Sequence, residues 1–226
     1  MIATQVPDFL KELTSLFTIM INGGAPVELA PYISSAPLVP ILKKDGKIRP
    51  IAIGEILRRI CSKLAVRSVV NEVSEYLSPL QVGVGVSNGI ESILHGLNTL
   101  IEEPSFPVSG IIGAVDFENA FNQVNRQVIF DEVHLRFPKI SAWVEYCYGS
   151  AAVLFTGAHT IYASTGVQQG DPLGPLLFSL AMQPLLLELP SVNDFCVECS
   201  SSKSGCIAKE NKSGPRGSPC WTPVDA

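Results

Sequence analysis

Long apolar runs are absent from this sequence, and so are several other features that would narrow its chemistry quickly. The most apolar piece, Leu176 to Leu189, is interrupted by Gln183-Pro184, so nothing reaches the ~20 consecutive residues that a bilayer-spanning helix needs. The N-terminal apolar run, Leu13 to Ile21, follows Lys11-Glu12 and lacks a small-residue cleavage site, which argues against a secretion signal. The expectation is therefore an intracellular protein, cytoplasmic or nuclear, with no membrane contact. Histidine is scarce: His95, His134 and His159 are the three in the chain, far apart and without a partner motif, so neither a histidine metal cage nor a histidine-based triad is expected. Of six cysteines, Cys61 and Cys147 lie inside apolar patterns that suit buried thiols. Cys196-Val197-Glu198-Cys199 offers half a zinc site that Cys206 and Cys220 do not complete. Positive charge is also in deficit: a net charge of −5 and a pI near 5.2 exclude a whole-chain pull toward nucleic acid or anionic lipid.

What cationic charge there is, however, is concentrated. Between Lys43 and Arg67 eight Lys and Arg face only Asp45 and Glu55, a local balance of +6 that leaves −11 for the other residues. This segment begins with Leu38 to Leu42, the turn Lys43-Lys44-Asp45-Gly46-Lys47 and Ile48 to Ile53, two apolar runs about an Asp-Gly that predict a hairpin. It continues as Ile56, Leu57, Ile60, Leu64, Val69, Val73 and Leu77 at helical spacing, with Arg58, Arg59, Lys63 and Arg67 interspersed, up to Ser78-Pro79. Guanidinium groups fork phosphate oxygens and lysine acts as a point charge, so Lys43, Lys44 and Arg49 are candidates to meet phosphate. Arg58, Arg59 and Lys63 are candidates to meet a nucleic-acid backbone. The plainer alternative is a solvated helix face.

Elsewhere the chain reads as ordinary globular structure, and its 46% hydrophobic content is ample for a core. Helical spacing of Phe9, Leu13, Leu16, Phe17 and Met20 predicts a helix over 8–21 ended by Asn22-Gly23-Gly24, followed by an irregular connection over 25–36 with Pro26 and Pro31. A second helix carries Ile90, Ile93, Leu94, Leu97 and Ile101. Helices are also expected over 126–137 and 139–147, and a hairpin over 152–155 and 160–163. The Gly-bearing link Gln81 to Gly85 has no strand before it and the wrong spacing for a dinucleotide loop.

Two stretches carry the chemistry. In the first, an apolar run over 108–115 predicts a buried strand with Asp116 at its end, where a carboxylate can be held rigidly for a metal or can cap a following helix. The second runs from Gly166-Val167-Gln168-Gln169-Gly170-Asp171-Pro172-Leu173 into the apolar helix that follows, a polar glycine-bearing loop built to position something.

Lys43 to Ile51, Asp116 to Val124 and Gly166 to Ala181, occurring in that order within about 37–187, resemble the reverse transcriptases of non-long-terminal-repeat retrotransposons. The resemblance implies an α+β fold, a partial right-hand polymerase with fingers and an incomplete palm, helix-rich with antiparallel strands. It implies nucleotidyl transfer from a deoxynucleotide to a DNA primer on an RNA template, with two Mg²⁺ ions clamping the attacking and leaving oxygens. By the same resemblance Asp116 is the catalytic metal ligand, and the backbone at Phe117 lies beside the triphosphate. Phe121 is the aromatic gate against a 2′-hydroxyl, Arg49, Lys43 and Lys44 neutralise the triphosphate, and Gln169 and Gly170 line the base-pair pocket.

One departure limits this expectation. The family takes its further metal ligands from an Asp-Asp pair on a later hairpin, and this sequence has no Asp-Asp. Asp194 alone falls where such a strand would begin, and Cys196 to Ser202 does not look like the rest of that hairpin. The expected organisation is an N-terminal helix and connection over 1–36, a reverse-transcriptase-like segment over 37–189, and an unrelated, disordered tail over 190–226, rich in Ser, Gly and Lys. Such a chain is expected not to polymerise alone; the alternative is a non-catalytic nucleic-acid-binding module using residues 43–67.

Overall fold

Segments of helical and strand period separate cleanly in a computed structural model that describes residues 2–42, 46–102, 112–188, 195–200 and 205–210. In chain order the elements are α1 (Ile2–Ile21), a 3-10 turn (Val27–Leu29), α2 (Ala30–Ser34), β1 (Ala36–Leu42), β2 (Ile48–Ala52), α3 (Ile56–Leu77), α4 (Gly89–Glu102) and β3 (Ile112–Asp116). They continue as α5 (Ala120–Gln123), α6 (Arg126–Arg136), α7 (Pro138–Tyr148), β4 (Ala152–Thr156), β5 (His159–Ala163), α8 (Gly174–Glu188), β6 (Phe195–Ser200) and β7 (Gly205–Glu210). They fall into two units, residues 1–69 with 121–178 and residues 70–120 with 179–226.

In the first unit a four-stranded sheet runs in the order β2-β1-β4-β5. The predicted hairpins are both present, with Leu38 opposite Ala52 and Leu42 opposite Ile48 in one, and Ala152 opposite Ala163 in the other. The antiparallel strands expected are joined by a parallel pairing of Ala36 with Leu154 and Pro37 with Phe155, so the sheet as a whole is mixed. Ala36, Ala52 and Leu154 are buried on it with Leu38 and Ala163 packed alongside. The helical core of this unit contains Cys61, Ala65 and Val69 from α3, Ile129 and Val133 from α6, and Ile140, Trp143, Val144 and Cys147 from α7. The Trp143 indole N–H donates to Ser62 Oγ at 3.3 Å, which satisfies two buried polar groups at once. Residues 25–36 are more regular than the prolines suggested, because Pro31 sits in the first turn of α2, where a missing N–H costs no helical bond.

The second unit holds the C-terminal part of α3, with Val73 and Leu77 buried. Its buried amides are cross-braced: Gln81 Nε2 donates to the Ser179 carbonyl and to Gln183 Oε1, each at 2.8 Å, and Gln183 Nε2 donates to the Tyr76 carbonyl at 2.9 Å. Helix α4 is amphipathic as predicted, yet its apolar side is open, with Leu94 56% exposed and Ile90 and Ile101 comparable. A second sheet, β3-β7-β6, is antiparallel throughout. Within the stretch expected to be a disordered tail, residues 195–200 and 205–210 are strands of that sheet, and the rest of 190–226 lies outside the described residues. Composition weighed the tail's poverty in apolar residues but could not register backbone hydrogen bonds to a strand eighty or more positions earlier. Among the described residues no helix is long and apolar enough to cross a membrane.

Candidate functional site

The loop that leaves β5 is pinned by backbone geometry at two glycines. Gly166 has φ +69°, and a Cβ there would lie 2.3 Å from the carbonyl carbon and oxygen of Asn122. Only glycine permits both the left-handed conformation and that approach. The chain is held in place by Gly166 N–H donating to the Val124 carbonyl at 3.0 Å and Val167 N–H to the Phe121 carbonyl at 2.7 Å. At Gly170, φ is +121° and a Cβ would lie 2.4 Å from the Ala52 carbonyl oxygen. One residue earlier, the Gln169 carbonyl accepts the Ala52 N–H at 2.8 Å, which joins the loop to β2. Asp171 then turns the chain toward α8: its Oδ1 accepts the Leu173 N–H at 3.0 Å, and its carbonyl accepts the Gly174 N–H at 2.9 Å.

Beneath the loop lies a buried polar network. Arg58, 1% exposed, donates through Nη2 to Asp171 Oδ2 at 2.7 Å and through Nη1 to Gln168 Oε1 and the Ser34 carbonyl, both at 2.8 Å. Tyr148 Oη donates to the same Asp171 Oδ2 at 2.7 Å, and Gln168 Nε2 donates to the Ser34 carbonyl at 2.7 Å. The other end of the loop is held by Arg126, whose guanidinium donates to the carbonyls of Gly166, Tyr148, Ser150, Ala163 and Thr165. Both guanidinium carbons lie over the Tyr148 ring, 5.2 Å and 5.3 Å from its centroid, within cation–π range.

The ionisation of these groups follows from burial and pairing. Burial disfavours the Arg58 charge, but Asp171 and its neighbours outweigh burial and hold its pKa above the ordinary value. Arg126 has no carboxylate partner in the network, and burial leads its pKa downward. Burial, then the neighbouring Asp171 carboxylate, keeps the Tyr148 phenol protonated well beyond its usual range. Cys61 and Cys147 are free and buried as expected. Burial pushes the Cys61 thiol up to about 11 and drives Cys147 in the same direction, so neither is an activated nucleophile.

The predicted site residues separate on this frame. Gln169 and Gly170 meet β2, the strand on which Arg49 is exposed opposite Ile41. Phe121 touches the same loop through its carbonyl, and its ring stacks on Phe178 with centroids 5.0 Å apart and planes 12° apart. Lys43 and Lys44 lie outside the described residues. Arg59 and Lys63 are exposed on α3, as a nucleic-acid contact requires. Arg58 is a correction: it was expected beside them, but its side chain is turned into the core and held by Asp171. Tyr148, Arg126 and Asp171 were missed, although an acid directly after Gln-Gln-Gly was visible as a candidate partner for a buried cation. His95, His134 and His159 are all exposed, and His134 pairs with Glu145 at the surface.

Asp116 and Phe117 belong to the second unit. Asp116 ends β3 opposite Gly205, which in turn faces Ser200 across the β7–β6 pair. The helix-cap alternative does not describe it, because α5 starts only at Ala120, after Asn119 at φ +53°. Two Mg²⁺ ions demand several carboxylate oxygens, and the register neighbours Gly205 and Ser200 supply none. Among the described residues no three His, Cys, Asp or Glu gather to hold a metal. Neither strand position beside Asp116 therefore adds a carboxylate to it.

Comparison with known proteins covers both stretches in sequence. Residues 41–201 match the family model for reverse transcriptase (RNA-dependent DNA polymerase), a match that passes the expected boundary at residue 190. The chain is 26% identical over 193 residues to the retrotransposable element SLACS 132 kDa protein of Trypanosoma brucei gambiense, covering 82% of this chain and 16% of that protein. It is 27% identical over 205 residues to the retrovirus-related Pol polyprotein from type-1 retrotransposable element R2 of Nasonia vitripennis, covering 84% of this chain and 19% of that one. It thus spans under a fifth of the length of these relatives. Apo telomerase from Candida tropicalis truncated from its C-terminal domain shares the fold with a TM-score of 0.56 at 14% identity, covering 80% of this chain and 45% of that one. Telomerase from Candida albicans in complex with a TWJ fragment of telomeric RNA aligns with a TM-score of 0.57 at 12% identity, over 82% of this chain and 39% of that one.

Proposed function

Because the chain belongs to the reverse transcriptase family, with non-long-terminal-repeat retrotransposon proteins among its relatives, we propose that it binds an incoming deoxynucleotide on an RNA template and DNA primer, and that this 226-residue chain does not join nucleotides by itself. The observation that carries the binding half is the approach of Gly170 to Ala52, so close that any side chain would collide with the Ala52 carbonyl, on a loop bonded to the strand bearing Arg49. On this reading Gln169 and Gly170 line the base-pair pocket, and Arg49, with Lys43 and Lys44, neutralises the triphosphate. Phe121 crowds a 2′-hydroxyl. The stack of Phe121 on Phe178 supports that last role, since exclusion by size needs a ring that does not yield.

The non-catalytic half rests on the donor set. Reverse transcriptases use divalent metal ions, and Asp116 offers one carboxylate, with Gly205 and Ser200 as its register neighbours and no Asp-Asp pair in the chain. The test is primer extension on an RNA template with Mg²⁺, run beside binding of a fluorescent deoxynucleotide to the full chain. We expect no incorporation, and binding that weakens about tenfold or more on Arg49→Ala, the scale of a lost charge-assisted hydrogen bond. Incorporation that disappears on Asp116→Ala would overturn the non-catalytic half; binding indifferent to Arg49→Ala would overturn the other.

A second reading, a nucleic-acid-binding module without catalysis, is favoured by the exposure of Arg59, Lys63 and Arg67 at four-residue spacing on α3. Each phosphate neutralised on a single strand contributes about −0.7 to the slope of log affinity against log salt. Arg59→Gln with Lys63→Gln should therefore flatten the slope for single-stranded RNA by about 1.4. An unchanged slope removes this reading.

A further inference from the structure

We infer that Arg58 is a positioning residue that sets the Gln168–Asp171 loop before any ligand arrives, acting through Asp171 and Gln168 to hold the Gln169 carbonyl on the Ala52 N–H. Its functional consequence rests on the proposed nucleotide pocket, but the positioning itself does not. A guanidinium that is 1% exposed has given up its hydration, and an apolar residue at the same helical position would pack without that cost. What the charge supplies is direction. Its two terminal nitrogens reach three acceptors on three segments: Asp171 and Gln168, the residues that flank Gln169-Gly170, and the Ser34 carbonyl at the end of α2. Gln168 closes a triangle by donating to the same Ser34 carbonyl. Tyr148 adds a second donor to the Asp171 oxygen that Arg58 already holds. The carboxylate therefore cannot turn without breaking two short bonds, and the two residues between the clamped positions have little freedom left.

Those two residues make the close contact with β2. Gln169 accepts the Ala52 N–H at 2.8 Å, and Gly170 sits where a Cβ would meet the Ala52 carbonyl. Arg126 secures the Gly166 end through backbone carbonyls alone and has no bond to Gln168 or Asp171 among those it makes. The division is specific: Arg126 anchors where the loop begins, and Arg58 fixes the part that reaches the strand carrying Arg49. Preorganisation of this kind lowers the ordering cost that a ligand would otherwise meet.

The test is hydrogen exchange of the Ala52 amide in the full chain, read with the melting temperature and with binding of a fluorescent deoxynucleotide. The double variant Arg58→Met with Asp171→Leu replaces the buried pair by apolar groups, which folded proteins often tolerate without net loss. We expect it to melt near the parent while the Ala52 amide exchanges about tenfold faster or more, through local opening and not global unfolding, with amides in α7 unchanged. An Ala52 amide as protected as in the parent overturns the inference. If the double variant does not fold, Tyr148→Phe serves instead: it removes the Tyr148 bond to Asp171 and the acceptor of the Gln168 N–H and should speed Ala52 exchange a few-fold while the amides in α7 stay as protected as in the parent, and unaltered exchange again overturns the inference. A parent chain that binds no deoxynucleotide defeats the proposed pocket, yet the exchange result still decides what Arg58 does.

Discussion

The loop over Gly166–Leu173 and the strand end at Asp116 are the two polar stretches that the sequence singles out, and they are built to different degrees. The loop is held at several points: two glycines admit it against backbone, two guanidinium groups hold its ends, and β2 donates the Ala52 N–H to its Gln169 carbonyl. Asp116 stands at the end of a regular ladder whose neighbouring strand positions are Gly205 and Ser200, neither of them an acid. Close approach and hydrogen bonds are satisfied locally, whereas two-metal chemistry needs several carboxylates at once. The same contrast runs through the two units. The helices under the loop bury Trp143, Ile140 and Leu177 almost fully, while the apolar side of α4 is open to solvent.

If the loop is as tightly braced as this implies, its largest sensitivity is at Arg58. Arg58→Ala strands the Asp171 carboxylate in the core with only the Tyr148 hydroxyl and the Leu173 N–H as donors. Breaking one side of a buried pair costs about 3–5 kcal/mol, readable as a lowered urea midpoint with unchanged slope. A cost under about 1 kcal/mol would place Arg58 with the surface cations and dissolve the contrast. A smaller loss is expected from Gly166→Ala, which meets a left-handed φ of +69° and backbone atoms 2.3 Å away. The conformational part alone is about 1–2 kcal/mol, and relief of the clash with Asn122 adds to it. Equal melting temperatures for Gly166→Ala and the parent would mean that the loop is not pressed against α5.

How much of this was legible in the sequence depends on the distance over which each feature is decided. Helix period, the Asp-Gly turn and the Gln-Gln-Gly loop are written within a few residues, and the hairpins, long helices and glycine-bearing loop were readable for that reason. Arg58 and Arg59 are adjacent in a cationic helix, and nothing local distinguishes them. The helix turns about 100° between them, and the partner that claims Arg58 is 113 positions away. Arg126 was invisible for a related reason, since its acceptors are backbone carbonyls that any sequence supplies. The parallel join of β1 to β4 and the pairing of β7 with β3 span a hundred residues or nearly so, and strand pairing at that range leaves no local mark.

The smallest effect is expected where the contrast is most exposed, on α4. Leu94 lies on the apolar side of an amphipathic helix, where sequence alone predicts a core residue, yet it is 56% exposed. Leu94→Ala should therefore change stability by no more than about 0.5 kcal/mol, against about 2–5 kcal/mol for Leu177→Ala, whose side chain is fully enclosed. Alanine also favours the helix slightly more than leucine does, which narrows the loss further. Measured side by side in urea, the pair separates a helix that stands apart from the core from one that is part of it. A loss above about 1 kcal/mol at Leu94 would mean that this face is covered in solution, and that the second unit is packed as fully as the first.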